Sequence, residues 1–172
     1  MKRSPLFVIL AAGIYLSACQ SPTTKTTEKT DTIITAQHVV IGDAVTNRLY
    51  ANYILLKDAL VKADTATAAS AGASVAADLQ QIAGCEEAAK VASGIATAAT
   101  IEAQRKGFVI LNGEVIPVIK HAGLTRGNIF VQYCPMANDS KGAYWLASEK
   151  EIRNPYYGDE MLTCGEVKEV VK

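Results

Sequence analysis

From residue 43 to about residue 63 the apolar residues Val45, Leu49, Tyr53, Leu56 and Leu60 recur 4, 4, 3 and 4 positions apart. That is the repeat of one buried stripe on an α-helix. A strand would scatter these residues over both faces, so no other stretch restricts the fold as much. Asp43 stands where an N-cap belongs. A second helical segment, about 65–83, is built of alanine and small polar residues, with Val75, Leu79 and Ile82 as its larger contacts and Gly84 as a candidate C-cap. A third, about 86–97, carries Ala88, Val91 and Ile95 on one face. A fourth, about 99–120, carries Ile101, Phe108, Leu111, Val115 and Val118, with Gly107, Gly113 and Pro117 inside it. These breakers predict a kink or a break near Asn112. Four such helices with short connections predict a mainly α fold, an up-and-down four-helix bundle.

The texture changes at Gly123. From Asn128 onward β-formers alternate with turn residues: IFVQYC, PMANDSKG, AYWLAS, RNPYYGDE and MLTCGEV. This predicts a small irregular C-terminal β element packed on the end of the bundle.

The N-terminus MKRSPLFVILAAGIYLSAC has a basic start, an apolar run and small residues before Cys19, the layout of an export signal. It is short for a permanent membrane span. LSAC resembles the lipobox of bacterial lipoproteins, which implies that residues 1–18 form a signal peptide and that Cys19 becomes the acylated first residue. The alternative is an ordinary secretory leader with a chance cysteine. Gln20 after the cysteine implies, by the rules of that class, the outer membrane; the expected location is a lipid anchor there with the domain on the periplasmic side. The stretch QSPTTKTTEKTD is nearly free of apolar residues, and residues 19–42 are expected to form a tether and lead-in. Residues 43–172 are then the domain.

Charge excludes some partners. Seventeen basic residues balance seventeen acidic ones, and loss of Lys2 and Arg3 leaves 15 against 17, a net charge of −2. No nucleic-acid surface is implied, and contact with a membrane is expected through the lipid anchor alone.

The C-terminal element holds the chemistry. Cys134 and Met136 lie two apart, so in an extended segment both side chains leave one face. Met161 and Cys164 lie three apart, within the reach of one tight turn. If these pieces converge, two thiolates and two thioethers form a donor set that selects Cu(I) and related soft ions. His121, just past the fourth helix, is expected either to complete the set or to sit on the surface at a helix C-terminus. A Cys134–Cys164 disulfide is the competing expectation in an oxidising compartment. It would close a loop of about 30 residues, worth roughly 3–4 kcal/mol by the chain-entropy argument. Met136 and Met161 also have the plain reading of core fillers. Cys85 reads as a small buried hydrophobe, and His38 has no identifiable partner. Trp145, Tyr144, Tyr156 and Tyr157 are expected to pack the β element onto the helices.

The series CPMA, GAYWL, NPYYG and MLTCG is similar to the C-terminal signature of a family of exported Gram-negative proteins with a mostly helical domain of unknown function. The same domain occurs appended to periplasmic adaptor subunits of heavy-metal efflux pumps. LKDALVKAD and IEAQRKGF resemble that family too, so the likeness covers roughly residues 45–167. It implies handling of copper or a related metal in the periplasm, with a pump adaptor as a possible partner. One departure stands out: a histidine is expected beside Gln104 and Arg105, where Lys106 and Gly107 follow.

The functional expectation is a non-enzymatic lipoprotein that binds copper through Cys134, Met136, Met161, Cys164 and His121, with no metal required for folding. The alternative is an interaction module closed by a Cys134–Cys164 disulfide and docked to an envelope partner. An enzyme is disfavoured: the chain has no G-x-S-x-G, no HExxH, no phosphate-cradling glycine loop and no C-x-x-C pair.

Overall fold

The computed structural model describes residues 39–172. The leader, Cys19, the tether and His38 lie outside the described residues. A short strand β1 (Val40–Ile41) precedes four helices: α1 (Ala44–Val61), α2 (Thr65–Leu79), α3 (Glu86–Thr97) and α4 (Ile101–Ala122). Then come β2 (Leu124–Arg126), β3 (Ile129–Cys134), a short turn of helix α5 (Ala137–Ser140), β4 (Ala143–Ala147), a 3-10 turn at Gly158–Met161, and β5 (Glu166–Val171). The fold is mainly helical with a small C-terminal sheet.

Each helix begins where its sequence supplies a cap or the right charge. Asp43 accepts from the Thr46 N–H at 2.7 Å and Asp64 from the Thr67 N–H at 3.0 Å. Thr100 accepts from the Ala103 N–H at 3.2 Å. Cys85, before α3, makes no side-chain cap, but Glu86 and Glu87 in the first turn suit the positive end of the helix dipole. Helix α2 stops at Leu79, short of the expected residue 83. The next residues tighten into i→i−3 bonds, Gln81 N–H to the Asp78 carbonyl and Ile82 N–H to that of Leu79.

Each helix packs on the one before it, and α4 also touches α1 and α2. Gly107 permits the close approach of α3 to α4, because a Cβ there would lie 2.6 Å from Ile95 Cγ1. The expected break near Asn112 does not occur, and α4 runs unbroken from Ile101 to Ala122. The reason is twofold. Asn112 bonds back to the helix, its Nδ2 donating to the Phe108 carbonyl at 2.8 Å. Pro117 deprives the Gly113 carbonyl of its donor, but both residues are exposed, so water can take the missing bond.

β1 and β2 form a two-stranded antiparallel ladder, and β4-β3-β5 form an antiparallel sheet with Gln132 opposite Trp145 and Cys134 opposite Ala143. The outer edge of β4 is closed by side chains. Tyr53 Oη accepts from the Leu146 N–H at 2.9 Å, and Tyr156 Oη donates to the Tyr144 carbonyl. Tyr53 and Phe108 stack at 5.3 Å between centroids, while Tyr156 meets Phe108 at 5.9 Å and Trp145 edge-on at 5.8 Å. This aromatic core joins α1, α4, the sheet and the loop before the 3-10 turn, and it fixes the platform on which both C-terminal cysteines stand.

Candidate functional site

Cys134 is the last residue of β3 and fully buried, and Cys164 stands two residues before β5, partly exposed. Asn154, buried, sets the approach of the two segments. Its Nδ2 donates to the Cys164 carbonyl at 2.9 Å, its own N–H to the Leu162 carbonyl at 2.8 Å, and its Oδ1 accepts from the Tyr156 N–H. Gly165, at φ +148°, lets the chain pass under Trp145, since a Cβ there would lie 2.9 Å from the indole ring and 3.0 Å from the Tyr133 carbonyl oxygen. Asn154 and Gly165 were not among the expected site residues. The Asn-Pro pair and the glycine after Cys164 were the only signals for them.

The two sulfurs are brought to 2.7 Å from one another. Contact with the Cys134 sulfur, then burial, pushes the Cys164 thiol above its ordinary pKa, and a hydrogen bond from the Met136 N–H works in the opposite direction. Tyr157 lies beside the pair: burial first, then Cys134, Cys164, Asp139 and Glu160, raise its phenol. Its hydroxyl therefore stays protonated and donates to the Met136 carbonyl at 2.6 Å.

Met136 does not share a face with Cys134. β3 ends before Pro135, and Met136 turns into the helical region (φ −82°, ψ −18°), so its side chain is 48% exposed while Cys134 is buried. The extended reading fails because the proline ends the ladder. Nor does Met136 fill the core. Met161 closes the 3-10 turn, half-buried, and its carbonyl accepts from the Cys164 N–H at 3.0 Å. His121 lies elsewhere, exposed in the last turn of α4, where it lines a hollow of about 670 Å³ together with Cys85, Asp43 and Pro117. Among the described residues no three His, Cys, Asp or Glu side chains converge.

A smaller hollow, about 280 Å³, lies against Tyr157 and is bordered by Asn138, Asp139, Glu160 and Lys106. Lys106 is the position beside Gln104 and Arg105 where the resemblance leads one to expect histidine. Arg105 itself is structural, its guanidinium donating at 3.0 Å to the carbonyls of Leu60 and Pro155. Trp145 and Tyr156 are buried, as expected for packing, whereas Tyr144 is exposed and lies against Tyr133 with ring centroids 4.5 Å apart.

The donor set suits a soft cation in kind: two thiols, one of them partly exposed, with Met136 two residues from the first and Met161 three residues from the second in sequence. The spacing sets a condition. With metal–sulfur bonds of about 2.3 Å, sulfurs 2.7 Å apart would subtend only about 72° at the metal, against about 109° in a tetrahedral site. The pair must part before it can share an ion. As it stands it is close to a covalent clasp, and no helix among the described residues is long and apolar enough to cross a membrane.

No curated protein and no solved structure matches the chain. Over residues 49–127, from the first turns of α1 to the end of β2 and short of both C-terminal cysteines, the chain matches the family described as Protein of unknown function (DUF3347).

Proposed function

We propose that this chain is a non-enzymatic lipoprotein that captures a soft cation, Cu(I) in particular, through the reduced Cys134 and Cys164, and that it buffers the ion or passes it to an efflux-pump adaptor. Cys19 would carry the lipid, and the domain, read as an up-and-down four-helix bundle capped by the sheet, would face the periplasm. The observation that carries this reading is the meeting of two thiols distant in sequence, one of them two residues before a methionine that is exposed rather than used in the core. Thiolate and thioether sulfur are the donors soft ions prefer, and a partly exposed Cys164 offers them a way in. His121 is not needed in this reading.

The 2.7 Å separation favours a second reading, in which the pair is oxidised and the C-terminal element is a clasped interaction module. One experiment divides the two. Native mass spectrometry of protein taken from the cell envelope, with thiol counting before and after Cu(I) is added to a reduced sample, gives a single copper adduct that protects both cysteines if the first is right. A pair that arrives bridged, and gives no copper adduct after reduction, leaves the clasp.

A further inference from the structure

Cys134 is fully buried although it ends a strand, and a strained turn follows it within four residues. Asn138, Asp139 and Ser140 all have positive φ, at 53°, 53° and 61°. Asparagine and aspartate tolerate that region and serine does so less readily, but three in succession cost free energy that the surroundings must offset. The bonds that hold the turn converge on the Met136 peptide. Its carbonyl accepts from the Ser140 N–H at 3.3 Å and from Tyr157 Oη at 2.6 Å. Ala137, the residue after it, is buried, and its carbonyl accepts from the Gly142 N–H at 2.9 Å. Of these contacts the Tyr157 bond is the only one made by a side chain from outside the turn and the thiol pair, and it sits at the surface.

We propose that Tyr157 is the gating residue of the thiol pair: by holding the Met136 carbonyl it keeps the strained turn that follows Cys134 closed, and breaking that one bond opens the buried sulfur to a soft cation or a thiol reagent. The proposal deepens, and rests on, the reading of Cys134 and Cys164 as a cation site. It accounts for a pair whose sulfurs must separate to share an ion and whose inner member has no contact with solvent. Tyr157 also borders the hollow lined by Glu102, Asp139 and Glu160 together with Arg105 and Lys106.

The test uses the reduced mature chain, alkylated with iodoacetamide and read cysteine by cysteine through peptide mass mapping, as wild type and as Tyr157→Phe. The ring stays, and only the hydroxyl is lost. Cys134 is expected to label roughly three- to tenfold faster in the variant, the effect of one net hydrogen bond, while Cys85, on the other hollow, labels at the wild-type rate. Equal Cys134 rates overturn the gate. So does equal acceleration at Cys134 and Cys85, which would make Tyr157 a prop for the whole fold. If the variant does not fold, Ser140→Gly carries the test: relief of the strain should slow Cys134 labelling, and an unchanged or faster rate overturns the proposal. Protection by added silver nitrate is measured in the same samples. Its absence from every protein would sink the cation reading and leave the gate to be judged by alkylation alone.

Discussion

Tyr53 donates its hydroxyl hydrogen to Asn112 Oδ1 across the interior, tying α1 to a residue 59 positions later on α4. The bond belongs to a buried chain. Leu146 N–H donates to Tyr53, Asn112 Nδ2 donates to Tyr156 Oη at 3.0 Å, and Tyr156 donates to the Tyr144 carbonyl. Asn112→Leu should therefore cost about 2–4 kcal/mol, because it leaves the Tyr53 hydroxyl hydrogen without an acceptor and takes a donor from Tyr156 Oη, both in the interior. Urea denaturation would measure it. A cost equal to that of an ordinary surface substitution would mean that the chain of bonds contributes nothing to stability.

Lys57 is fully buried, with its ammonium 2.7 Å from Asp58 and paired also with Glu149 in the segment after β4. Both carboxylates are about one-third exposed, but the Asp58 Oδ1 that faces the ammonium is itself buried with no other partner, so water can serve only Glu149 if the lysine is lost. The buried ammonium has no such recourse. Lys57→Met strands Asp58 Oδ1 and should cost about 1–3 kcal/mol, whereas Glu149→Gln, which keeps an acceptor and leaves Asp58 on the ammonium, should cost less. The reverse order in thermal melts would contradict this account of the pair.

How much of this was legible depended on distance along the chain. The stripe from Val45 to Leu60, the Asp43 cap and the span of α3 are local patterns, and they stand as read. α4 was misread because proline was weighed as a helix breaker without knowing that Pro117 would be exposed. At Cys134 and Met136 the alternation rule was carried across a proline that ends the strand. Lys57, in LKDALVKAD, looks like any solvated charge, and only the return of residue 149 makes it a buried one. Asn154 and Asn112 likewise gain their roles from partners 10 and 44 positions away. The meeting of Cys134 with Cys164 was legible as chemistry but not as geometry, since composition names the donors and only the turns bring them together.

Three helical glycines should part company. Nothing lies within 4 Å of a Cβ built at Gly94 or Gly113. Alanine there should stabilise by about 0.5–1 kcal/mol each, through helix propensity alone. Gly107→Ala drives its methyl into Ile95 and should destabilise by about 1–3 kcal/mol. Melting temperatures of the three variants decide it, and a stabilised Gly107→Ala would show that α3 and α4 can part at little cost.

Acid should loosen the helix starts. Backbone and side-chain bonds from Thr46 hold the Asp43 carboxyl below its ordinary 3.8, and bonds from Thr67 do the same for Asp64. A pKa lowered by folding gives stability that is fully present above the unfolded value and is lost as pH falls through the folded one. The loss should therefore begin near pH 3.8 and deepen below it. Asn at both positions keeps a cap without the titration. The double variant Asp43→Asn, Asp64→Asn should show a flatter fall in melting temperature below that pH, and an unchanged slope would assign acid sensitivity to other carboxylates.

Met136 gives the cleanest separation of ligation from packing. With its side chain 48% exposed, Met136→Leu should leave stability within about 0.5 kcal/mol of wild type. A fall in Cu(I) affinity in that variant, measured by competition with a chelator of known strength, would then belong to the lost thioether. Met161, half-buried in the 3-10 turn, lacks this clarity, since Met161→Leu changes packing beside Cys164 as well. If Met136→Leu binds Cu(I) as tightly as wild type while Cys134→Ser does not, the site is a dithiolate and the exposed methionine stands outside it. If both lose affinity, the methionine in QYCPMAND is a ligand that the turn after Pro135 holds at the surface, where an arriving ion would meet it before the buried thiol.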